Sequence, residues 1–78
     1  MQFGEAVAER LIALTDAADP AAQNNLGVVL LRGGHTADAE RAFGRALALD
    51  GGMGVARRNL HIALTGDEES ARWARVSS

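Results

Sequence analysis

NLGVVLLRGGHTADAERAFGRALALDG, from Asn25 to Gly51, carries two helical patterns joined by a glycine turn. In the first pattern Leu26, Gly27, Leu30 and Leu31 recur at three- and four-residue steps; in the second, Ala39, Phe43, Ala46, Leu47 and Leu49 do so. Such steps put apolar residues on one face of a helix. Neither helix can hide that face alone, so the two are expected to fold back on each other as an antiparallel hairpin. Gly33 and Gly34 are expected to end the first helix, because glycine takes positive φ without strain. Gly27 and Ala39 are small where the helices approach, Phe43 fills the gap between them, and Ala46 again lets the backbones come near.

Outward from this stretch the chain continues as helix. A first helix is predicted over about 3–15, with Val7, Leu11 and Leu14 on one face and Ala6 and Ala13 beside them. Asp19-Pro20 opens a second, over about 20–32. Asp is a good cap, and Pro suits a first position whose N–H would be unpaired anyway. Thr36 is read as the cap of the third helix, about 36–49, with Asp38 and Glu40 where negative charge suits the helix dipole. Asp50-Gly51-Gly52-Met53-Gly54 is a break with three glycines and reads as the most mobile joint. A fourth helix covers about 54–65 and stops at Gly66. Asp67 opens a fifth over about 68–76, with Glu68 and Glu69 at its start and Arg72 and Arg75 toward its end. The expected fold class is all-α, about five helices in antiparallel hairpins.

An internal repeat is visible at a period of 34: Asn25-Leu26 recurs as Asn59-Leu60, Val28 as Ile62, and Leu30 as Leu64, while Leu26-Gly27 becomes Leu60-His61. The order Leu26-Gly27, Leu30, Gly34, Ala39, Phe43, Ala46 resembles the tetratricopeptide repeat family, with matching spacing as far as Ala46 and with Gly51 where Pro is usual. The resemblance implies a short α-solenoid forming a single domain over 1–78. Its parts are a half repeat or capping helix over 1–19, a full repeat over 20–53, and a degenerate repeat with a capping helix over 54–78. The opening helix then stands as the second half of a preceding repeat, with Ala6 and Ala13 in the places of Ala39 and Ala46 and Arg10 in the place of Phe43. After Gly66 the pattern departs, with a shorter turn and no Phe at the expected distance. One full repeat falls below the roughly three needed for independent stability. The chain therefore reads as a piece of a longer array, or as one that self-associates to cover its open ends.

The length of 78 residues bounds the chain to one small domain with a modest core. The absence of Cys excludes a disulfide framework and a thiolate metal site. No apolar run reaches the ~20 residues of a membrane span, and MQFGEAVAER does not read as a signal peptide, having acids early and no basic region. The expected location is therefore cytoplasmic. Net charge is −2, and all eight basic residues are Arg. A nucleic-acid surface would need a larger positive excess, so neither nucleic acid nor membrane is an expected partner.

An enzyme reading finds little. His35 is read as a solvated turn residue. His61, in the place of the close-packing glycine, is read as partly buried with a local hydrogen bond. Neither has a second ligand at helical spacing, so no metal is expected. Asp67-Glu68-Glu69 is explained by helix capping. The glycine runs lack the Gly-Lys-Ser/Thr pattern and the preceding strand of a phosphate loop. No catalytic residue and no cofactor is expected.

A binding reading finds more. The resemblance implies that the first helix of each hairpin lines a concave face, which takes Ala21, Asn24, Asn25, Val28, Leu31 and Arg32, then Val55, Arg58, Asn59 and Ile62. Asn25 and Asn59 are expected to stack in register and to clamp the backbone of an extended peptide, since an amide both donates and accepts; the alternative is a plain polar surface. Arg32, Arg57 and Arg58 favour an acidic peptide or a free carboxylate, which Arg meets bidentately; the alternative is ordinary solvated charge. Chaperone-tail binders of the family use a Lys, Asn and Arg clamp. Only Asn25 matches it here, with Val55 and Asn59 where Lys and Arg would stand, so that activity is not expected. Val28, Leu31 and Ile62 make the floor apolar, which admits a partner helix or a second copy of the chain. Trp73, with Val76 nearby, either supports that self-association or plugs the last hairpin. The expected function is a non-catalytic protein–protein interaction module binding a peptide or partner helix in the groove. The alternatives are a homo-oligomerisation or scaffold module, and an accessory repeat segment of a larger enzyme or regulator.

Overall fold

A computed structural model of the chain describes residues 2–66, and these are all-α. Four helices follow one another: α1 (Glu5–Leu14), α2 (Pro20–Arg32), α3 (Thr36–Leu49) and α4 (Gly54–Thr65). The expected fifth helix, with Trp73 and Val76, lies outside the described residues. No helix among the described residues is long and apolar enough to cross a membrane.

Local chemistry sets the start and stop of α2. The Asp19 carboxylate accepts from the backbone N–H of Ala21 at 3.0 Å and of Ala22 at 3.2 Å, with Pro20 in the first turn. Two N–H groups that the helix leaves unpaired are thereby satisfied. At the other end His35 N–H donates to Leu30 O at 2.8 Å and Gly34 N–H to Leu31 O at 3.2 Å. This crossed pair of bonds requires a left-handed residue between helix and exit, and Gly34 supplies it with φ of 89°. Gly33 itself stays right-handed. The chain then re-enters helix so promptly that Thr36 is already inside α3. His35 occupies the cap position, without a side-chain cap bond.

The reason lies in the first residues. Residues 2–4 are not the start of α1 but a strap laid across the α2–α3 turn. The N–H of Phe3 donates to Gly33 O at 3.3 Å, and His35 Nε2 hydrogen-bonds to Phe3 O at 2.7 Å. The Phe3 and His35 rings stack at 5.2 Å between centroids. His35 is thus a half-buried latch and not a solvated turn residue.

The α2–α3 hairpin holds the centre of the core, which gathers Leu26, Leu30, Ala39, Ala42 and Phe43, joined by Ala8 from α1 and Ala63 from α4. Gly27 is required by close approach: a Cβ there would stand 2.4 Å from the Phe43 ring. α1 differs from expectation. It meets α2 but neither α3 nor α4, and it turns Ala8, Leu11 and Ile12 inward. Val7 is 48% exposed and Leu14 74% exposed, while Ala6 and Ala13 are also exposed. A small residue at the contact lets α1 lie close to α2, so Ala8 outcompetes the larger side chains for the inner position. Ala8 stands 34 residues before Ala42, and both are buried. Ala6 and Ala13 are thus exposed where Ala39 and Ala46 are buried.

The glycine-rich break before α4 is tied on both sides. Gly52 N–H donates to Asp50 Oδ1 at 3.1 Å, Met53 N–H to Asp50 O at 3.1 Å, and Arg57 Nη2 to Gly51 O at 2.7 Å. α4 ends at Gly66, which is left-handed with φ of 65°. His61, expected to be partly buried, is exposed: no helix among the described residues lies where α3 lies against Gly27.

Candidate functional site

α2 and α4 pack side by side against α3. A groove of about 290 Å³ opens between them, lined by Val28, Leu31, Arg32, Phe43, Asn59 and Ile62. Val28, Leu31 and Arg32 come from the last turns of α2. Asn59 and Ile62 come from the middle of α4, and Phe43 closes the floor from α3. Val28 and Ile62 are repeat equivalents, so the groove has an aliphatic residue on each wall. The volume lies at or below the ~300–1,000 Å³ usual for small-molecule pockets. It suits one or two side chains of a polymer better than a cofactor.

Polar chemistry enters through Asn59 and Arg32. Asn59 Nδ2 donates to Asn24 Oδ1 at 3.1 Å. Asn24 is buried, so it does not face a ligand; it holds the Asn59 amide in place. Asn59 Oδ1 makes no hydrogen bond among the described residues and is free to accept one. Arg32 is exposed and forms no ion pair among the described residues, where the one ion pair joins Arg41 to Asp38. The groove therefore offers aliphatic walls over the buried Phe43 ring, one oriented amide and one uncommitted guanidinium. Among the described residues no group of three His, Asp or Glu side chains could hold a metal ion.

Five of the residues read from the sequence thus meet in one place: Val28, Leu31, Arg32, Asn59 and Ile62. Asn24 stands behind them as a support. Val55 and Arg58 are exposed on α4 outside the groove lining. Asn25 does not stack with Asn59. It lies in a second cleft, of about 390 Å³, between α1 and α2, with Leu11, Leu14 and Val29 among its lining residues. Phe43 was read only as core, yet its ring also reaches the groove floor. Its placement on the second helix of the hairpin gave no sign of this.

Comparison of the chain with protein-family models finds no match, and comparisons with curated proteins and with solved structures find none either.

Proposed function

We propose that the α2–α4 groove binds a peptide or a partner helix, without catalysis, in a short solenoid of the tetratricopeptide kind whose fifth helix follows Gly66. The observation that carries this reading is the groove itself. Apolar Val28, Leu31 and Ile62 line it above the buried Phe43, with the Asn59 amide held by Asn24 and Arg32 at the rim. The aliphatic wall accepts an apolar side chain. Asn59 Oδ1 accepts from a ligand N–H, and Arg32 meets a carboxylate, either acidic or terminal. Two well-placed polar groups over an apolar floor orient a segment of chain rather than react with it.

The test uses the full chain and a panel of extended peptides, each with one aliphatic residue near a free C-terminal carboxylate, followed by NMR. The expected result is shifts confined to Val28, Leu31, Asn59 and Ile62. The double variant Arg32→Ala with Asn59→Ala should keep its helical spectrum and bind about tenfold or more weakly. Shifts that fall elsewhere, or binding indifferent to both substitutions, would sink the reading.

A further inference from the structure

The α2–α3 turn holds an extended piece of chain by chemistry that is not particular to that piece. Phe3 uses both of its main-chain groups there. Its N–H donates to Gly33 O at 3.3 Å, and its C=O accepts from His35 Nε2 at 2.7 Å. A carbonyl only accepts, so Nε2 carries the proton. The Phe3 ring stacks on the His35 imidazole and lies over Gly33, which is buried. A Cβ on Gly33 would overlap that ring. Yet Gly33 has φ of −78° and ψ of −3°, a right-handed conformation open to any residue. Glycine at 33 is therefore required by the ring above it and not by the backbone. The turn is a slot built from a carbonyl acceptor, a ring N–H donor, an imidazole face and a missing Cβ.

The residues that fill this slot are lightly held. Phe3 is half-buried, and Gln2 and Gly4 on either side are exposed. Two hydrogen bonds and one ring contact fix them to the turn, with the Gln2 side chain lying over Gly34. Short elements with few contacts are the first to open locally. Gly4, which joins them to α1, has open space where a Cβ would stand, and glycine is the residue most free to turn. A second copy of the chain is a poor source of the same ligand. Phe3 stands one residue before the cap of α1, and three extended residues span at most ~10 Å. A copy could deliver its Phe3 only by bringing the start of its own α1 to this turn, where the resident α1 already begins. A segment with free chain on both sides of its aromatic residue has no such constraint.

We propose that the α2–α3 turn is a recognition site for an aromatic residue in an extended segment of a partner protein, and that residues 2–4 occupy it as a tethered stand-in which the partner displaces. Gly33 O and His35 Nε2 bind the main chain of the aromatic residue, and the imidazole face with the bare Gly33 selects its ring, since flat rings stack and aliphatic side chains do not. The site uses none of the residues that line the α2–α4 groove, so it stands or falls apart from that groove.

The full chain tests this by NMR, with an acetylated Gln-Phe-Gly peptide amide as the probe and the Gln-Leu-Gly peptide as its control. Phe3→Ala empties the slot. In that variant the Phe peptide should shift the Gly33, Gly34 and His35 resonances, and the Leu peptide should not. In the wild type the tethered Phe3 competes at a millimolar effective concentration, so the same shifts should need about tenfold or more peptide. Gly33→Ala suits the right-handed backbone but fills the slot. It should keep the helical circular dichroism spectrum, release Phe3 and abolish the response to the Phe peptide. The proposal is overturned if the Phe peptide leaves these resonances unmoved in folded Phe3→Ala, if the Leu peptide acts equally, or if Gly33→Ala keeps the response. Should Phe3→Ala unfold, the wild type decides: excess Phe peptide must move the Phe3 resonances to free-chain values, and failure to do so overturns the proposal.

Discussion

Leu30 and Leu64 occupy equivalent steps of the 34-residue period, yet Leu30 is 0% exposed and Leu64 is 64% exposed. The same division runs through their neighbours. Gly27 is pressed against the Phe43 ring, while His61, at the equivalent step, is exposed. Phe43 is fully buried, while Glu9 one period earlier is exposed. The α2–α3 hairpin and the outer faces of α1 and α4 therefore differ in whether a partner is present among the described residues. Burial contributes roughly 25 cal/mol per Å² of apolar surface removed from water, and Leu64 collects little of this until something packs on α4. Chemistry at the open positions has moved accordingly: the ring and the bare glycine of the closed hairpin are replaced by a carboxylate and an imidazole that tolerate water.

Substitutions at equivalent positions would break or sharpen this contrast, read by urea unfolding at concentrations low enough to keep the chain monomeric. The largest effect is expected for Phe43→Ala, about 3–5 kcal/mol of destabilisation, against a change within about 0.5 kcal/mol for Glu9→Ala. Next, Leu30→Ala should cost about 2–5 kcal/mol and Leu64→Ala less than about 1 kcal/mol. Equal losses at Leu30 and Leu64 would show that the α4 face is already packed in the monomer. A smaller effect than at either buried position is expected for Asp19→Ala, about 1 kcal/mol, from loss of the two cap bonds at the start of α2; no change would mean that Pro20 alone sets that boundary.

Much of the fold was legible because its signals are local. Asp19-Pro20 and the two left-handed glycines, Gly34 and Gly66, act on backbone N–H and C=O groups within one turn, so the bounds of α2, α3 and α4 agree with those read from the sequence. α1 was legible as a helix but not in its rotation. Val7, Leu11 and Leu14 form a stronger apolar stripe than Ala8, and only the closeness of α2 makes the smallest residue the inner one. The strap was not legible either, since pairing Phe3 with Gly33 and His35 brings together residues about thirty positions apart. In the groove, Val28, Leu31, Arg32, Asn59 and Ile62 line one space; the family resemblance, and not their spacing alone, had put them on one face. Asn24 and Asn25 show the limit. Adjacent residues on a helix point about 100° apart, so the packing angle of α4 on α2 decides which asparagine meets Asn59, and that angle is not written in either segment.

The sequence by itself determined that this chain is helical, where α2, α3 and α4 begin and end, and that Gly27 and Phe43 form a matched pair. Each of these depends on groups a few residues apart or on a repeat spacing. Only the tertiary structure decided that Asn24 and not Asn25 supports the groove, that Phe43 reaches its floor, that His35 latches the first residues, and that Leu64 is open where Leu30 is closed. Those outcomes depend on which helix lies against which face. Helix contacts are chosen by closest approach among residues distant in the chain, and a periodic pattern offers a face without saying what will cover it.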